Sequence, residues 1–280
     1  MLTYQSVDVP CEVPTFCIDP QSDPSLRRGD ETHWIKLNHQ HTFSEQDAIE
    51  FAFPDELYNR DPEACATRAI LCPVNKAVDA LNDTIIQRMN GKEYTHTAFE
   101  RFLQNDQQAG HHDEEFLAAQ EESPKPPHKL QLKPGVVCLV LRNMSRRYEL
   151  YNNEKVIYKG PRGEGMIEVK KVNGGASPWQ TFVLPRINFT IQPRNVRGLK
   201  FNRCQYPVKP AYAETVHKSQ GQTLEKIVIE IRHHFFQHGH LYTALTRVRY
   251  GCDMLLLTSP ERICDGPPIC RNIVYRKLLE

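Results

Sequence analysis

A run of four apolar residues closed by a proline constrains the fold of this chain most strongly. The run Ala69–Cys72 suits a short buried strand, and Pro73 stands at a natural first position of a helix. Helical spacing follows, and Gly91 marks where that helix would stop. The apolar residues at this spacing are Val74, Val78, Leu81, Ile85 and Met89. A strand that turns tightly into a helix is half of an α/β unit.

The same α/β pattern returns towards the end of the chain. Strands are predicted at 208–213, 227–231 and 254–257, because each run is short and largely apolar. Residues 215–220 predict a turn or short helix, and apolar spacing over 241–248 predicts a helix. These segments predict the second half of the domain that begins at Ala69.

Between the two α/β blocks, short strands alternate with turn signals. The predicted strands are 136–141, 155–158, 166–169 and 180–184, separated by asparagine and glycine pairs. Such spacing favours a small β-barrel. The predicted boundaries are 1–66 for an irregular proline-broken segment, 67–122 and 193–259 for the α/β domain, 123–192 for the barrel and 260–280 for a tail. Within this scheme, the polar, proline-rich residues 104–128 predict a loop or linker.

Composition is that of an ordinary globular protein, with 40% hydrophobic and 25% charged residues. No apolar run reaches the length of a membrane span, and the first residues lack a secretory pattern. The nine cysteines form no C-x-x-C pair. A reduced intracellular protein is expected, without a disulfide framework, a membrane partner or a metal site.

The net charge is +1, but charge is unevenly distributed along the sequence. No acidic residue occurs between Glu168 and Glu214. The basic residues in that stretch are Lys170, Lys171, Arg186, Arg194, Arg197, Lys200, Arg203 and Lys209. A stretch of one sign is more often a solvated face than a nucleic-acid site, so this observation leaves both possibilities open.

Three segments carry groups suited to chemistry. Residues 213–224 run from a strand into a turn with hydroxyl, imidazole and amide groups around Gly221, which suits phosphate binding. Arg247 lies on the predicted helix 241–248, away from its apolar face; such an arginine is usually a surface charge, but in a nucleotide cleft it stabilises charge on the γ-phosphate. Asn75 and Lys76, at a helix start, would contact a phosphate or simply cap the helix and meet solvent.

In order, these segments resemble motifs IV, V and VI of superfamily 1, branch B helicases, and most closely the petite-integration-frequency (PIF) family and Helitron transposon helicases. The run Thr215–Leu224 resembles T-x-x-K-S-Q-G-Q-T-L, and Phe236–Val248 resembles F-x-H-G-Q-L-Y-x-A-L-S-R-V. Residues 127–135 and 141–144 resemble the start of the family's Src-homology-three-like insertion, and residues 184–187 and 205–208 resemble its return into the motor domain. His240 stands where glutamine is usual, and Thr246 where serine is usual.

The resemblance implies a RecA-like motor domain, the second of two, in an ATP-dependent 5′–3′ DNA helicase that uses ATP and Mg²⁺. Such helicases are nuclear or organellar and serve DNA repair, recombination or telomere maintenance. Arg247 is implied as the arginine finger, and Gly221, Gln222 and Thr223 as nucleotide contacts. The implied contacts to single-stranded DNA are Asn75, Lys76, Thr215, His217, Lys218, Arg203 and Lys209.

A helicase motor also needs a P-loop, G-x-x-x-x-G-K-[ST], and an acidic strand end that holds magnesium. Neither occurs here, since the pair Gly91-Lys92 is followed by Glu93 and lacks the earlier glycine. We therefore expect a first motor domain elsewhere, upstream or on a partner, and no tight ATP binding or hydrolysis by these 280 residues alone. A gene fragment, a degenerate transposon copy and a genuine subunit all stay open, as does a stand-alone module that binds single-stranded DNA.

Overall fold

The computed structural model describes residues 32–102, 114–120, 125–146, 150–172, 181–193, 199–263 and 267–273. Its helices are α1 (Glu45–Ala52), α2 (Asp55–Arg60), α3 (Pro62–Cys65), α4 (Asn75–Arg88), α5 (Glu114–Ala118) and α6 (His240–Leu245). Its strands are β1 (Thr32–Lys36), β2 (His41–Thr42), β3 (Arg68–Cys72), β4 (Tyr94–Thr97), β5 (Phe99–Phe102), β6 (Lys129–Leu132), β7 (Val137–Val140), β8 (Lys155–Pro161), β9 (Met166–Lys171), β10 (Thr181–Pro185), β11 (Ile187–Ile191), β12 (Phe201–Gln205), β13 (Val208–Pro210), β14 (Ala213–Thr215), β15 (Lys226–Glu230), β16 (Met254–Leu257) and β17 (Ile269–Ile273). None of the helices in these ranges is long and apolar enough to cross a membrane.

The chain forms two compact units. The first comprises the described parts of Met1–Ala52, Thr67–Val74 and Thr215–Glu280, and the second those of Phe53–Ala66 and Asn75–Glu214. The boundaries predicted from the sequence differ, because they start the α/β domain at residue 67 and treat residues 1–66 as irregular. In the structure, each unit instead contains residues from both sides of that boundary.

The first unit is built on a mixed α/β core. Its sheet has the order β14-β3-β15-β16-β2, in which β3, β15, β16 and β2 run parallel. One face of these strands, including Leu71, Ile229 and Leu256, packs with Leu241 and Leu245 of α6. Helix α1 contacts β3, β15 and β16. Burial on both faces explains the near-continuous apolar runs that made β3, β15 and β16 predictable.

The prediction that residues 1–66 are irregular is wrong for the part that the structure describes. Helix α1 begins after Ser44, whose Oγ accepts a hydrogen bond from the Asp47 amide at 3.1 Å. In the second unit, Pro62 occupies the first turn of α3, where its missing N–H costs nothing. The prolines therefore mark helix starts in this segment, rather than breaks in an unstructured chain. Residues 1–31 lie outside the described ranges.

The second unit is dominated by antiparallel strands. A five-stranded sheet has the order β10-β9-β8-β7-β13, and smaller sheets are β11-β12-β5 and β4-β6. Helix α4 buries Val78, Leu81 and Ile85, as its apolar spacing predicts. The Lys133 ammonium donates to the carbonyl of Met89 at 2.8 Å, so a positive charge lies where the C-terminal end of the helix dipole is negative.

The predicted linker at 104–128 is partly ordered structure. Its described part contains α5 and a segment whose carbonyls at Pro126, Pro127 and His128 accept hydrogen bonds from buried side chains. The prolines and charged residues of the segment are typical of a loop, but its backbone carbonyls accept hydrogen bonds inside the second unit. Residues 103–113 and 121–124 lie outside the described ranges.

A buried histidine makes the stability of the second unit depend on pH. His96 Nε2 lies 2.9 Å from the Tyr158 hydroxyl, and burial, together with the charge of Arg186, lowers the pKa of His96 below its ordinary 6.5. The unfolded chain then binds the proton more tightly, so stability is full above pH 6.5 and falls as pH drops through the lowered pKa of His96. Each pH unit by which the pKa of the folded protein lies below that of the unfolded chain changes the free energy of unfolding by about 1.4 kcal/mol.

We expect the midpoint of urea unfolding to decline on acidification over this range, and His96→Gln to flatten the decline. His41→Gln, which changes an exposed histidine of the first unit, is the matched control and keeps the wild-type slope. An unchanged slope in His96→Gln would show that the acid sensitivity has another origin.

Candidate functional site

The turn between β14 and β15 is held by its own backbone and by Arg247. The amide of Lys218 donates to the Thr215 carbonyl at 2.8 Å, and that of Gln222 to the Ser219 carbonyl at 3.0 Å. Ser219 is fully buried, and its hydroxyl donates to the Val216 carbonyl at 2.8 Å. These bonds fix the loop in a compact shape with its tip exposed.

Gly221 at that tip has a left-handed backbone, with φ of +82°. Among the described residues, no heavy atom lies within 4 Å of the position that a Cβ would take there, so the backbone faces open space. A side chain at this position would strain the turn and obstruct the approach of a ligand to the backbone. Gly221 and Thr223 are both exposed, as a contact to a ligand requires.

Arg247 lies against this turn. Its Nη1 donates to the carbonyl of Gln222 at 3.1 Å and reaches that of Ser219 at 3.4 Å. Its Nε donates to the Thr243 carbonyl at 2.7 Å, and its Nη2 to the Thr246 hydroxyl at 2.8 Å. The Arg247 carbonyl in turn accepts from the Leu224 amide at 2.8 Å. The turn at 213–224 and the segment that contains Arg247 therefore meet at one guanidinium.

The remaining side chains predicted in the turn are accessible to different degrees. Thr215 and Lys218 are half-buried, whereas the His217 ring is exposed. His217 Nε2 contacts the Gln237 amide oxygen and lies 3.0 Å from His240 Nε2. Sequence reasoning did not single out Gln237, because nothing local links it to a turn 20 residues earlier.

A second candidate site is a cavity of about 380 Å³ in the second unit. It is lined by Lys76, Asp79, Asn82, Asp83, Lys125, Pro126, Pro127, Lys129, Leu130, Gln131, Lys209 and Pro210. Four of these residues are lysines and two are aspartates, so its lining is net positive. The predicted residues Lys76 and Lys209 both reach this cavity. Asn75 is exposed at the start of α4 but does not line it.

The two predicted lysines differ in how free their charges are. Lys209 is buried, at 8% exposure, and its ammonium forms an ion pair with Asp79. Lys76 is exposed, as is Lys129, which lies just after the predicted linker and which sequence reasoning did not single out as a contact. The exposed lysines are therefore better placed to meet an anion than Lys209.

The prediction that Arg203 contacts DNA is wrong. Its side chain is 0% exposed and forms an ion pair with Glu100 at 2.7 Å. Its other nitrogens donate to the carbonyls of Leu117, Ala118, Gln120 and Pro126, at 2.8 to 3.4 Å. With all of these donors engaged inside the second unit, Arg203 serves packing rather than a surface contact.

The basic stretch 169–213 is likewise not an exposed positive stripe in its described part. Lys170 pairs with Glu63, and Lys171 lies 3.6 Å from Glu154. The Arg186 guanidinium lies over the rings of Phe99 and Tyr206, at 4.9 and 4.8 Å. Lys200 is exposed, while Arg194 and Arg197 lie outside the described ranges.

Comparison with known proteins finds similar DNA helicases. No family model matches the chain. The human ATP-dependent DNA helicase PIF1 is 30% identical over 186 residues, which are 66% of this chain. The crystal structure of Pif1 helicase from Candida albicans has a TM-score of 0.53 at 20% identity over 76% of this chain and 49% of that chain. That of Bacteroides Pif1 in complex with ADP-AlF3 and ssDNA has 0.50 at 22% identity over 76% and 44%.

The match covers 26% of the human protein, so the chain spans about a quarter of the length of that relative. The likeness to these solved Pif1 structures supports the mixed α/β fold over about three quarters of this chain. The chain is homologous to ATP-dependent DNA helicases named PIF1, which it matches over part of their length.

Proposed function

We propose that this chain supplies the second, RecA-like motor domain of an ATP-dependent 5′–3′ DNA helicase. The observation that carries the proposal is the docking of Arg247 on the carbonyls of Ser219 and Gln222. These contacts join a turn with an exposed glycine to a long guanidinium side chain. A nucleotide cleft needs this combination on the side that faces the γ-phosphate. The relative named ATP-dependent DNA helicase supports the same conclusion.

In this proposal, Gly221, Gln222 and Thr223 approach the nucleotide, and Arg247 is the arginine finger. The guanidinium leaves two backbone carbonyls and stabilises the negative charge that develops on the transferred phosphoryl group. Because those carbonyls are neutral acceptors, an anionic phosphate competes with them effectively. Thr246, which accepts from Nη2 at 2.8 Å, keeps the side chain directed towards the turn.

The two cofactors fit this site differently. Phosphate oxygens suit the guanidinium and the exposed backbone at Gly221. Mg²⁺ needs carboxylate oxygens, and neither 215–224 nor 240–249 contains an aspartate or glutamate. We therefore assign no magnesium ligand to these segments and expect the ion to be held by a P-loop domain, upstream or on a partner.

The first test is ATP hydrolysis by the purified 280-residue chain, with and without single-stranded DNA, beside Arg247→Ala. We expect background turnover from both proteins, because no P-loop is present to hold the β- and γ-phosphates. DNA-stimulated hydrolysis that Arg247→Ala abolishes would contradict the proposal and require a phosphate site of another kind. Adding a P-loop domain in trans should restore turnover only with Arg247 intact.

The β10-β9-β8-β7-β13 sheet is proposed as the family's Src-homology-three-like insertion, since four of its five strands, all but β13, fall within the predicted 123–192 region. The family's asparagine-glycine-threonine-arginine run is replaced by Tyr151–Lys155, where Asn153 adopts a left-handed φ of 67°. The turn keeps the backbone shape that glycine would favour while it lacks the arginine.

We propose nuclear DNA as the substrate, in repair, recombination or telomere maintenance or in Helitron-type transposition.

A second candidate function is binding of single-stranded DNA without a motor. The lysine-lined cavity favours it, because such a surface needs no nucleotide to hold a phosphate backbone. Salt-dependent binding that is indifferent to ATP would support this function, and absence of any DNA binding would support an inert remnant instead.

A further inference from the structure

One face of the three-stranded sheet β11-β12-β5, in the second unit, is open to solvent. Strand pairing places six exposed or half-buried side chains on this face in two rows across the strands, namely Asn188, Cys204 and Phe99, then Thr190, Asn202 and Arg101. None of the six is acidic. The alternate residues Phe189 and Phe201 belong to a buried cluster on the opposite face. Many antiparallel sheets are open on one side, so exposure alone does not make this face a binding site.

The outer face carries an aromatic ring and a guanidinium in contact with each other. Phe99 is 60% exposed, although large apolar side chains are normally buried. The Arg186 guanidinium lies over the Phe99 ring at 4.9 Å and over the ring of buried Tyr206 at 4.8 Å. The guanidinium covers one face of the Phe99 ring, and the high exposure of this residue leaves the other face open to a second flat group.

The positive charge on this face has no acidic partner within the described part of the chain. Arg186 Nε is buried without a hydrogen-bond partner, and neither Arg186 nor Arg101 forms an ion pair with a described carboxylate. Glu100, the acidic residue of β5, is buried and pairs with Arg203. A guanidinium that rings hold in place, and that lacks a counter-ion, favours an anion with several oxygen acceptors, such as phosphate.

Amide groups complete the outer face and connect it to the lysine-lined cavity. Asn202 Oδ1 accepts a hydrogen bond from the Thr190 hydroxyl at 3.0 Å, which leaves the amide hydrogens of Asn202 available. Asn188 is exposed beside it. Such amides offer both donors and acceptors, as the edges of nucleobases require. The Thr190 carbonyl also accepts from the ammonium of Lys125, which lines the cavity, so the face and the cavity adjoin.

We propose that the outer face of β11-β12-β5 binds single-stranded DNA, with a nucleobase stacked on Phe99 and its phosphate on Arg186. Arg101 lies on the same face and contacts a neighbouring phosphate. This pairing of ring and cation suits a strand of any sequence, because every base has an aromatic face. Bases inside a duplex are stacked on one another and do not reach the ring. The inference rests on the proposed function only in taking single-stranded DNA as the partner.

The first test replaces Phe99 in the full 280-residue chain and measures binding of a labelled oligothymidylate by fluorescence anisotropy. Phe99→Leu keeps an apolar side chain but removes the ring, so we expect about tenfold weaker binding, the loss of one stacked base. The salt dependence should stay the same, since no charge is lost. Phe43→Leu is the matched control, because Phe43 is 50% exposed in the first unit, and it should bind as the wild type does. Duplex DNA should not distinguish Phe99→Leu from the wild type.

A tryptophan at the same position supplies a direct signature of stacking. Phe99→Trp should keep the wild-type affinity, and the oligonucleotide should quench its fluorescence beyond any change in the wild type, whose tryptophans are Trp34 and Trp179. Binding by Phe99→Trp without this additional quenching would overturn the stacking contact.

The second test concerns the phosphate contact. Arg186→Gln should weaken binding and reduce the slope of log K against log salt by about 0.7, the share of one phosphate contact on a single strand. Arg60→Gln, which changes an exposed arginine of the same unit, is the matched control and should leave the slope unchanged.

Circular dichroism of each variant verifies folding. Wild-type affinity in both Phe99→Leu and Arg186→Gln would overturn this inference while leaving DNA binding by the chain in place. Absence of binding by the folded wild type would overturn the inference and the DNA partner of the proposed function together. If Arg186→Gln does not fold, the two Phe99 variants decide alone, since that ring is exposed.

Discussion

Replacement of Arg203 by methionine is expected to lower the free energy of unfolding by about 3–5 kcal/mol, the cost of leaving one partner of a buried ion pair unpaired. Glu100, whose side chain is 3% exposed, would be left with His128 as its remaining partner at 2.8 Å. The carbonyls of Leu117 and Gln120 would lose their donor as well. Methionine preserves much of the volume, so the loss measures polar contacts rather than a cavity.

We expect Arg203→Lys to lower the free energy of unfolding almost as much. A lysine carries the charge but lacks the planar fork with which Arg203 reaches Glu100 and several carbonyls at once. Arg101→Met is the matched control, because Arg101 is an exposed arginine of the same unit, and its removal should change stability by no more than about 0.5 kcal/mol. Urea unfolding followed by circular dichroism measures all three. A stable Arg203→Met that binds DNA more weakly would restore the surface role that the sequence suggested.

The failure of the charge pattern as a guide has a physical cause. Between Glu168 and Glu214 the sequence shows basic residues without acidic ones. The partners of these residues come from elsewhere in the same unit, such as Glu63 for Lys170 and Asp79 for Lys209. Glu63 lies on α3 and Asp79 on α4, two helices that are distant in sequence from these lysines. A window along the sequence cannot contain them, so it predicts an exposed stripe where the fold has ion pairs.

Strand prediction succeeded or failed for a similar reason. Strands β3, β15 and β16 are buried on both faces, so their apolar runs are unmistakable. Strand β12 alternates between buried and half-buried positions, but two of its buried residues are Arg203 and Gln205. Its core face therefore contains polar groups whose partners lie in other segments. No apolar period of two appears, and the strand escapes detection.

The candidate turn was predictable because its groups are close together in sequence. Gly221, Gln222 and Thr223 are consecutive, and the resemblance marked Arg247 as their counterpart. What the sequence could not supply is the contact itself, since Arg247 reaches the Ser219 carbonyl across 28 residues. Lys129 was not singled out because nothing in the sequence links it to Lys76, 53 residues earlier, although both line the cavity.

The double variant Lys76→Gln, Lys129→Gln is expected to bind single-stranded DNA about tenfold more weakly than the wild type at low salt. Both side chains are exposed at the lysine-lined cavity, whereas Lys209 is committed to Asp79. Each lysine–phosphate contact contributes a slope of about 0.7 to the dependence of log K on log salt for a single strand. The double variant should therefore reduce the slope by about 1.4.

Fluorescence anisotropy of a labelled oligonucleotide over a salt series measures both quantities, with and without ATP. Lys200→Gln is the matched control, because Lys200 is an exposed lysine of the basic stretch that does not line the cavity. It should leave the affinity and the slope nearly unchanged. If Lys200→Gln weakens binding as much as the double variant does, the charge of the whole surface governs binding and the cavity has no special role. If neither variant changes binding, the strand follows the Thr215–Lys218 turn of the first unit instead.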